Sequence, residues 1–274
     1  MILFPNAKIN LGLDILRKRP DGYHDISTVM MPVPWHDILE IVPAKGSVTT
    51  LTTSGNPVEC PPEKNLVMKA YRALDKVVPL PPVDIYLRKI IPDGAGLGGG
   101  SADASFTLRG LNDLFSLSLT DGELAEIAAS LGADCPFFIY NKPMLCTGTG
   151  TDLAPIDINL SGLTIALVKP TVSVPTSQAY ANTTPAIPEQ PLQELVKMPV
   201  AQWGQSVKND FETSVFPSYP AIAEVKSQLE SMGAVYASMS GSGSSVYGLF
   251  AGNDILADVV AERFPEYKTF VARL

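Results

Sequence analysis

The chain has 274 residues, 46% hydrophobic and 18% charged, which suits one or two folded domains with a substantial core and excludes long disorder. Its formal charge is −8, from 20 basic and 28 acidic residues, so no basic face advertises nucleic acid as a partner. Two histidines and three widely spaced cysteines (Cys60, Cys135, Cys146) are too few for a disulfide framework or a His/Cys metal site, and they point to a reducing compartment.

In chain order, residues 8–16 alternate: Ile9, Leu11, Leu13 and Ile15 face one way, and Lys8, Asn10, Gly12 and Asp14 the other. This is the pattern of a half-buried strand. The apolar N-terminus carries no basic n-region, so no signal peptide is expected. No run approaches the roughly 20 apolar residues that cross a bilayer. A cytoplasmic protein without membrane or nucleic-acid partners is expected. Arg17-Lys18-Arg19 reads either as a solvated loop or as local attraction for a polyanionic small molecule. Pro20-Asp21-Gly22 turns the chain, and strands are expected at 26–31, 37–42 and 47–53. His36 is given no functional role.

A helix is expected over 63–78, with Leu66, Val67, Ala70, Leu74 and Val77 on one face and prolines 79, 81 and 82 ending it. A strand at 83–91 leads into Pro92-Asp93-Gly94-Ala95-Gly96-Leu97-Gly98-Gly99-Gly100-Ser101-Ala102, and a helix follows to Phe115. Thr120 and Glu123 form the capping box of a helix over 121–131, which Gly132 ends. A domain boundary is expected near 150–160, dividing the chain into 1–155 and 156–274. Beyond it come a strand at 162–168 and a proline-rich segment at 170–191 with little regular structure. Helices are expected near 190–198, 209–215 and 219–231. Strands at 235–239 and 245–250 flank a Ser/Gly turn, followed by a helix at 253–263 and a strand at 268–272. The whole is α+β in two lobes.

The glycine run carries the chemistry. A loop without β-carbons that feeds a helix N-terminus presents free N–H groups and the positive end of the helix dipole to an anion. Ser101 at the N-cap has a hydroxyl that caps the helix or faces a metal ion. A flexible linker is the plain alternative, but linkers seldom join a strong strand to a strong helix. The P-loop pattern fails, because no lysine follows Gly100. Gly94, Gly96 and Gly99 spell G-x-G-x-x-G, yet nearly ninety residues precede them and no acidic strand end follows. A nicotinamide-dependent oxidoreductase is therefore the second reading. Asp134 lies in a tight connection between Gly132 and Pro136 and reads equally as a turn aspartate capping 135–138 and as a general base. Lys8 reads as a solvated strand lysine or as an active-site cation.

Three segments in order resemble the motifs of the GHMP kinases (galactokinase, homoserine, mevalonate and phosphomevalonate kinases): Asn6-Ala7-Lys8-Ile9-Asn10-Leu11, Pro92–Ala104 and Ser238–Ser245. Ala95 and Ala102 depart from that pattern, where many relatives carry glycine and a second serine; neither change removes a backbone donor. A narrower likeness is carried by Arg19-Pro20-Asp21-Gly22-Tyr23-His24, Gly132–Phe138, Val174-Pro175-Thr176 and Asn209-Asp210-Phe211-Glu212. It resembles the family branch that phosphorylates the 2-hydroxyl of a cytidine-diphosphate sugar alcohol, 4-diphosphocytidyl-2-C-methyl-D-erythritol, on the non-mevalonate route to isoprenoids. Another GHMP kinase, of the mevalonate or homoserine type, is the nearer alternative.

The resemblance implies a two-lobed fold, an S5-like N-terminal lobe and a ferredoxin-like C-terminal lobe, with the active site in the cleft between them. It implies ATP held by residues 92–102 and Mg²⁺ with Ser101 as a ligand. Asp134 becomes the general base, also orienting the acceptor hydroxyls, with Lys8 beside it. Asn10, Tyr23, His24 and Tyr180 become substrate-binding, the aromatic rings stacking on the pyrimidine. A monomer or weak homodimer is expected.

Overall fold

The computed structural model describes residues 1–56, 60–204, 206–252 and 256–274. The chain packs as two compact units that interleave along the sequence. One comprises Met1–Ala7, Trp35–Asp93 and Gly98–Lys142; the other comprises Lys8–Pro34, Gly94–Leu97 and Pro143–Leu274.

The first unit is built on a four-stranded sheet in the order Ile2–Leu3, Ile38–Pro43, Val83–Lys89, Thr50–Gly55. Thr50–Gly55 runs parallel to Val83–Lys89, and a parallel pair needs a crossover. The helix Leu66–Asp75 lies in that connection. It starts later than the hydrophobic pattern implies, because Asn65 caps it through the N–H of Val67 at 2.9 Å. It also ends earlier, which leaves Val77 exposed rather than on the apolar face. Leu39, Ile41, Val83, Ile85 and Leu87 cover one sheet face and pack on Leu74, Leu108 and Leu111 of the helices. The helices Gly99–Leu114, Asp121–Ala129 and Cys135–Tyr140 complete this unit, and both hydrogen bonds of the Thr120–Glu123 capping box form.

The second unit holds two sheets. One has the order Asn6–Lys18, His24–His36, Met144–Thr147, Asp152–Pro155, its first and second strands reaching well beyond the expected limits. The hairpin 144–155 was legible only as a glycine-rich boundary; Gly148 and Gly150 take positive φ in its turn. The other sheet has the order Tyr236–Met239, Val246–Ala251, Leu163–Lys169, Lys268–Arg273, antiparallel throughout. The helices Pro220–Ser231 and Leu256–Arg263 pack on it, which makes the β-α-β-β-α-β arrangement of the ferredoxin-like fold. The first three residues of the helix expected at 253–263 lie outside the described residues. The proline-rich stretch is not wholly irregular, since Pro175 starts a helix at Thr176–Ala181.

The strand Asn6–Lys18 corrects the expectation of half burial. Both of its faces are buried from Asn6 to Ile15, and Lys8, Asn10 and Asp14 are each at most 5% exposed. Period-2 alternation usually separates core from solvent. Here it separates an apolar core face from a polar face that is also enclosed, so the polar residues must find partners within the protein.

Candidate active site

The enclosed polar face of the first strand forms a network. The Lys8 amine donates to Asn10 Oδ1 at 2.6 Å, and the Asn10 amide donates to Thr28 Oγ1 at 3.0 Å. Thr28 in turn donates to the carbonyl of Gly12. Asn10 is held on its backbone as well: its N–H donates to Ser240 Oγ and its carbonyl accepts from the Tyr247 hydroxyl. A buried ammonium is tolerated only when hydrogen-bonded. The Asn10 amide oxygen supplies one such bond to Lys8.

Residues 94–97 lie against this network. Gly94, Gly96 and Gly98 take φ of +58°, +73° and +69°, alternating with Ala95 and Leu97, whose side chains are buried and anchor the loop. The carbonyls of Ala95, Gly96 and Leu97 accept from Ser245 N–H, Ser240 Oγ and Lys8 N–H. A β-carbon on Gly96 would lie 2.1 Å from the Ser240 carbonyl oxygen, so only glycine fits there. The Ser/Gly turn between Tyr236–Met239 and Val246–Ala251 therefore has a task beyond connection. Its Gly241 sits where a β-carbon would be 3.2 Å from Asn10 Oδ1 and 3.7 Å from Lys8 Nζ. Asn209 holds that turn by donating to the carbonyls of Met239 and Gly241, both at 2.8 Å.

The chain then opens the helix Gly99–Leu114. Its N-cap is Gly98 in the left-handed region, which corrects the placement of Ser101: that residue is the third of the helix and caps nothing. The first N–H groups of any helix lack intrahelical partners, and Gly99, Gly100 and Ser101 carry three of them. Burial pushes the pKa of the Cys135 thiol up to about 11, with the Ser101 hydroxyl pulling the other way. Among the described residues, no three His, Cys, Asp or Glu side chains converge as a cation cage. Magnesium takes hard oxygen donors, and the Ser101 hydroxyl is a donor of that type.

Asp134 occupies the N-cap position of Cys135–Tyr140 but makes no capping hydrogen bond, so the plain reading of it as a turn cap is not realised. Beneath the glycine-rich helix lies a buried ion triad that sequence patterns did not reveal. The Lys89 amine bonds Asp37 and, at 2.7 Å, Asp103. Burial pulls the pKa of Lys89 down, but Asp103 and Asp37 outweigh it and hold the amine above its ordinary value. Burial pushes Asp103 up to about 7 against the pull of Lys89. In the other unit, burial and the neighbouring Asp210 push Asp14 up to about 6, with Lys208 opposing.

Of the aromatic candidates, His24 and Tyr180 stack with ring centroids 4.7 Å apart, and Tyr180 meets Phe211 edge-on. That spacing leaves no room for a base between His24 and Tyr180. Tyr23 is 68% exposed and its ring joins neither. Its N–H donates to Asp21 Oδ1, closing the Asp-Gly turn. Arg17 and Arg19 pair with Asp25, so the basic cluster is partly neutralised on the spot.

Two strands of evidence give the class. A ferredoxin-like sheet whose Ser/Gly turn braces a glycine loop agrees with the family models: residues 65–142 match the GHMP kinases N terminal domain and 191–267 the GHMP kinases C terminal domain. The chain belongs to the GHMP kinase family. It is 53% identical over 250 residues to 4-diphosphocytidyl-2-C-methyl-D-erythritol kinase of Parabacteroides distasonis, covering 91% of this chain and 92% of that one. It is 54% identical over 253 residues to the enzyme of that name from Bacteroides fragilis, covering 92% of each. A crystal structure of 4-(cytidine 5'-diphospho)-2C-methyl-D-erythritol kinase matches with a TM-score of 0.83 at 29% identity, over 99% of this chain and 98% of that one.

Proposed function

We propose that this chain transfers the terminal phosphoryl group of ATP to the 2-hydroxyl of 4-diphosphocytidyl-2-C-methyl-D-erythritol, forming ADP and the 2-phosphate. The observation that carries the reading is the identity of 53–54% over more than nine-tenths of the chain with kinases of that name. Residues 92–102 hold the phosphates of ATP through backbone N–H groups and the helix N-terminus. Asp134 takes the proton of the attacking hydroxyl; that oxygen bonds to the γ-phosphorus as the bond to the β,γ-bridging oxygen breaks. Lys8 acts beside Asp134 and stabilises the developing alkoxide. The burial of Lys8 and its hydrogen bond to Asn10 on the enclosed polar face support this role. When bound, magnesium neutralises phosphate charge, with the Ser101 hydroxyl among its ligands.

Asn10 orients substrate beside Lys8. Tyr23, His24 and Tyr180 receive the cytidine, the base stacking on an outer face of the His24–Tyr180 pair or parting it. The family domains are taken as 1–155 and 156–274. The protein acts in the cytoplasm as a monomer or weak homodimer; among the described residues no helix is long and apolar enough to cross a membrane.

Coupled detection of ADP with a panel of acceptors tests the proposal. Release with the cytidine substrate and not with mevalonate or homoserine is expected; the opposite pattern sinks it. Tight binding of NADH without binding of ATP would instead favour an oxidoreductase.

A further inference from the structure

Asp37, Lys89 and Asp103 lie outside every residue given a chemical role above. They are 0%, 5% and 2% exposed, so none is offered to a ligand. Their bonds converge on the two ends of one loop. At the entry, Asp37 Oδ1 accepts the N–H of Ile90 and, at 2.9 Å, of Ile91, the two residues before Pro92. At the exit, Lys89 Nζ reaches Asp103 Oδ2 in the second turn of the helix Gly99–Leu114. The same amine bonds Asp37 Oδ2, which ties entry to exit. Gly99, the first residue of that helix, lies directly over the pair: a β-carbon there would be 3.0 Å from Ile91 Cγ2 and 3.2 Å from Lys89 Nζ.

We infer that Asp37, Lys89 and Asp103 form a positioning clamp that fixes both ends of the phosphate-binding loop, and so sets the direction in which its N–H groups point. This rests on the reading of residues 92–102 as the ATP phosphate site. Stability alone is a poor reason for the triad. Apolar residues of similar volume fill a core at least as well as a buried ion pair. Asp103 Oδ1 is buried without a hydrogen-bond partner, a penalty that packing does not explain. What charged arms provide and methylenes do not is direction: a carboxylate that takes two consecutive N–H groups, and a lysine that spans from strand end to helix. Lys89 is not catalytic on this account. It acts through the backbone of the loop.

The test separates positioning from stability. Lys89→Met/Asp103→Leu removes the span but leaves Asp37 on Ile90 and Ile91. Asp103→Asn keeps the shape and weakens one arm. Thermal midpoint, Kd for ATP by calorimetry, and KM for the cytidine substrate are measured for both and for the wild type. The double variant is expected to raise the ATP Kd about tenfold or more, and Asp103→Asn by about threefold, while acceptor KM stays within about twofold. The ATP effect should persist even where the double variant melts at or above the wild-type temperature. A folded double variant with wild-type ATP affinity overturns the inference. If the double variant does not fold, an unchanged ATP Kd in Asp103→Asn overturns it. Wild-type protein that binds no ATP overturns the phosphate-loop reading itself, a distinguishable failure.

Discussion

Lys8 and Lys89 are both strand lysines at most 5% exposed, yet the bonds around them are built differently. Lys89 draws two carboxylates from elsewhere in the chain, Asp37 and Asp103 of the helix Gly99–Leu114. Lys8 donates to the amide of Asn10 two positions along its own strand, beside Gly241 of the Ser/Gly turn. Equal burial therefore does not mean equal surroundings: a neighbour on the same strand face can be read from the alternation, whereas carboxylates that arrive from distant segments cannot.

The largest expected effect breaks this comparison directly. Lys8→Met and Asp134→Asn should each lower kcat by about 10²- to 10⁴-fold with a melting temperature near that of wild type. If either variant retains full turnover, the roles proposed for Lys8 and Asp134 are wrong. Next comes the loop that Lys8 braces through the Leu97 carbonyl. Gly96→Ala meets both the Ser240 carbonyl and a φ of +73°, so it should destabilise the protein by about 1–3 kcal/mol and weaken ATP binding at least about tenfold. Calorimetry and thermal melts would read both.

Tyr23→Ala should raise KM for the cytidine substrate by roughly tenfold, the loss of one stacking contact. Its exposed ring implies a change in stability of no more than about 0.5 kcal/mol. An unchanged KM would remove Tyr23 from the base site. The smallest effect concerns Asp14, on the same enclosed face as Lys8. The folded chain holds its proton to about pH 6, against an ordinary value of 3.8, so stability falls as pH rises through that window. Asp14→Asn should therefore raise the melting temperature by a few degrees at pH 8 and not at pH 4. Equal shifts at both values would show that the face is less enclosed than it is drawn.

Much of this was legible in the chain. The strand before the glycine run, the helix after it and the capping box at Thr120 follow from local rules, so they appear where local rules put them. Lys8, Asn10 and Gly96 were found through motif spacing, and the structure gathers them. Ser101 was misplaced because any of several consecutive residues can cap a helix, and the left-handed turn at Gly98 decides which does. Asp37 and Lys89 gave no signal: they lie 52 positions apart, Asp37 just before the strand Ile38–Pro43 and Lys89 at the end of Val83–Lys89, and those strands pair only when the sheet forms. Asn209 was noticed only within a motif, with nothing to say that its amide holds the Gly241 turn.

The amino-acid order by itself determined the glycine-rich loop, the family and the alternation that puts Lys8 and Asn10 on one face, because each depends on neighbours within a few residues or on a motif read in sequence. Tertiary structure alone decided that the polar face of the first strand is enclosed, that the Ser/Gly turn presses on Gly96, and that two carboxylates converge on Lys89. The physical reason is the same in each case. Burial and charge compensation are properties of groups brought together from distant parts of the chain, and no local pattern encodes which group will arrive.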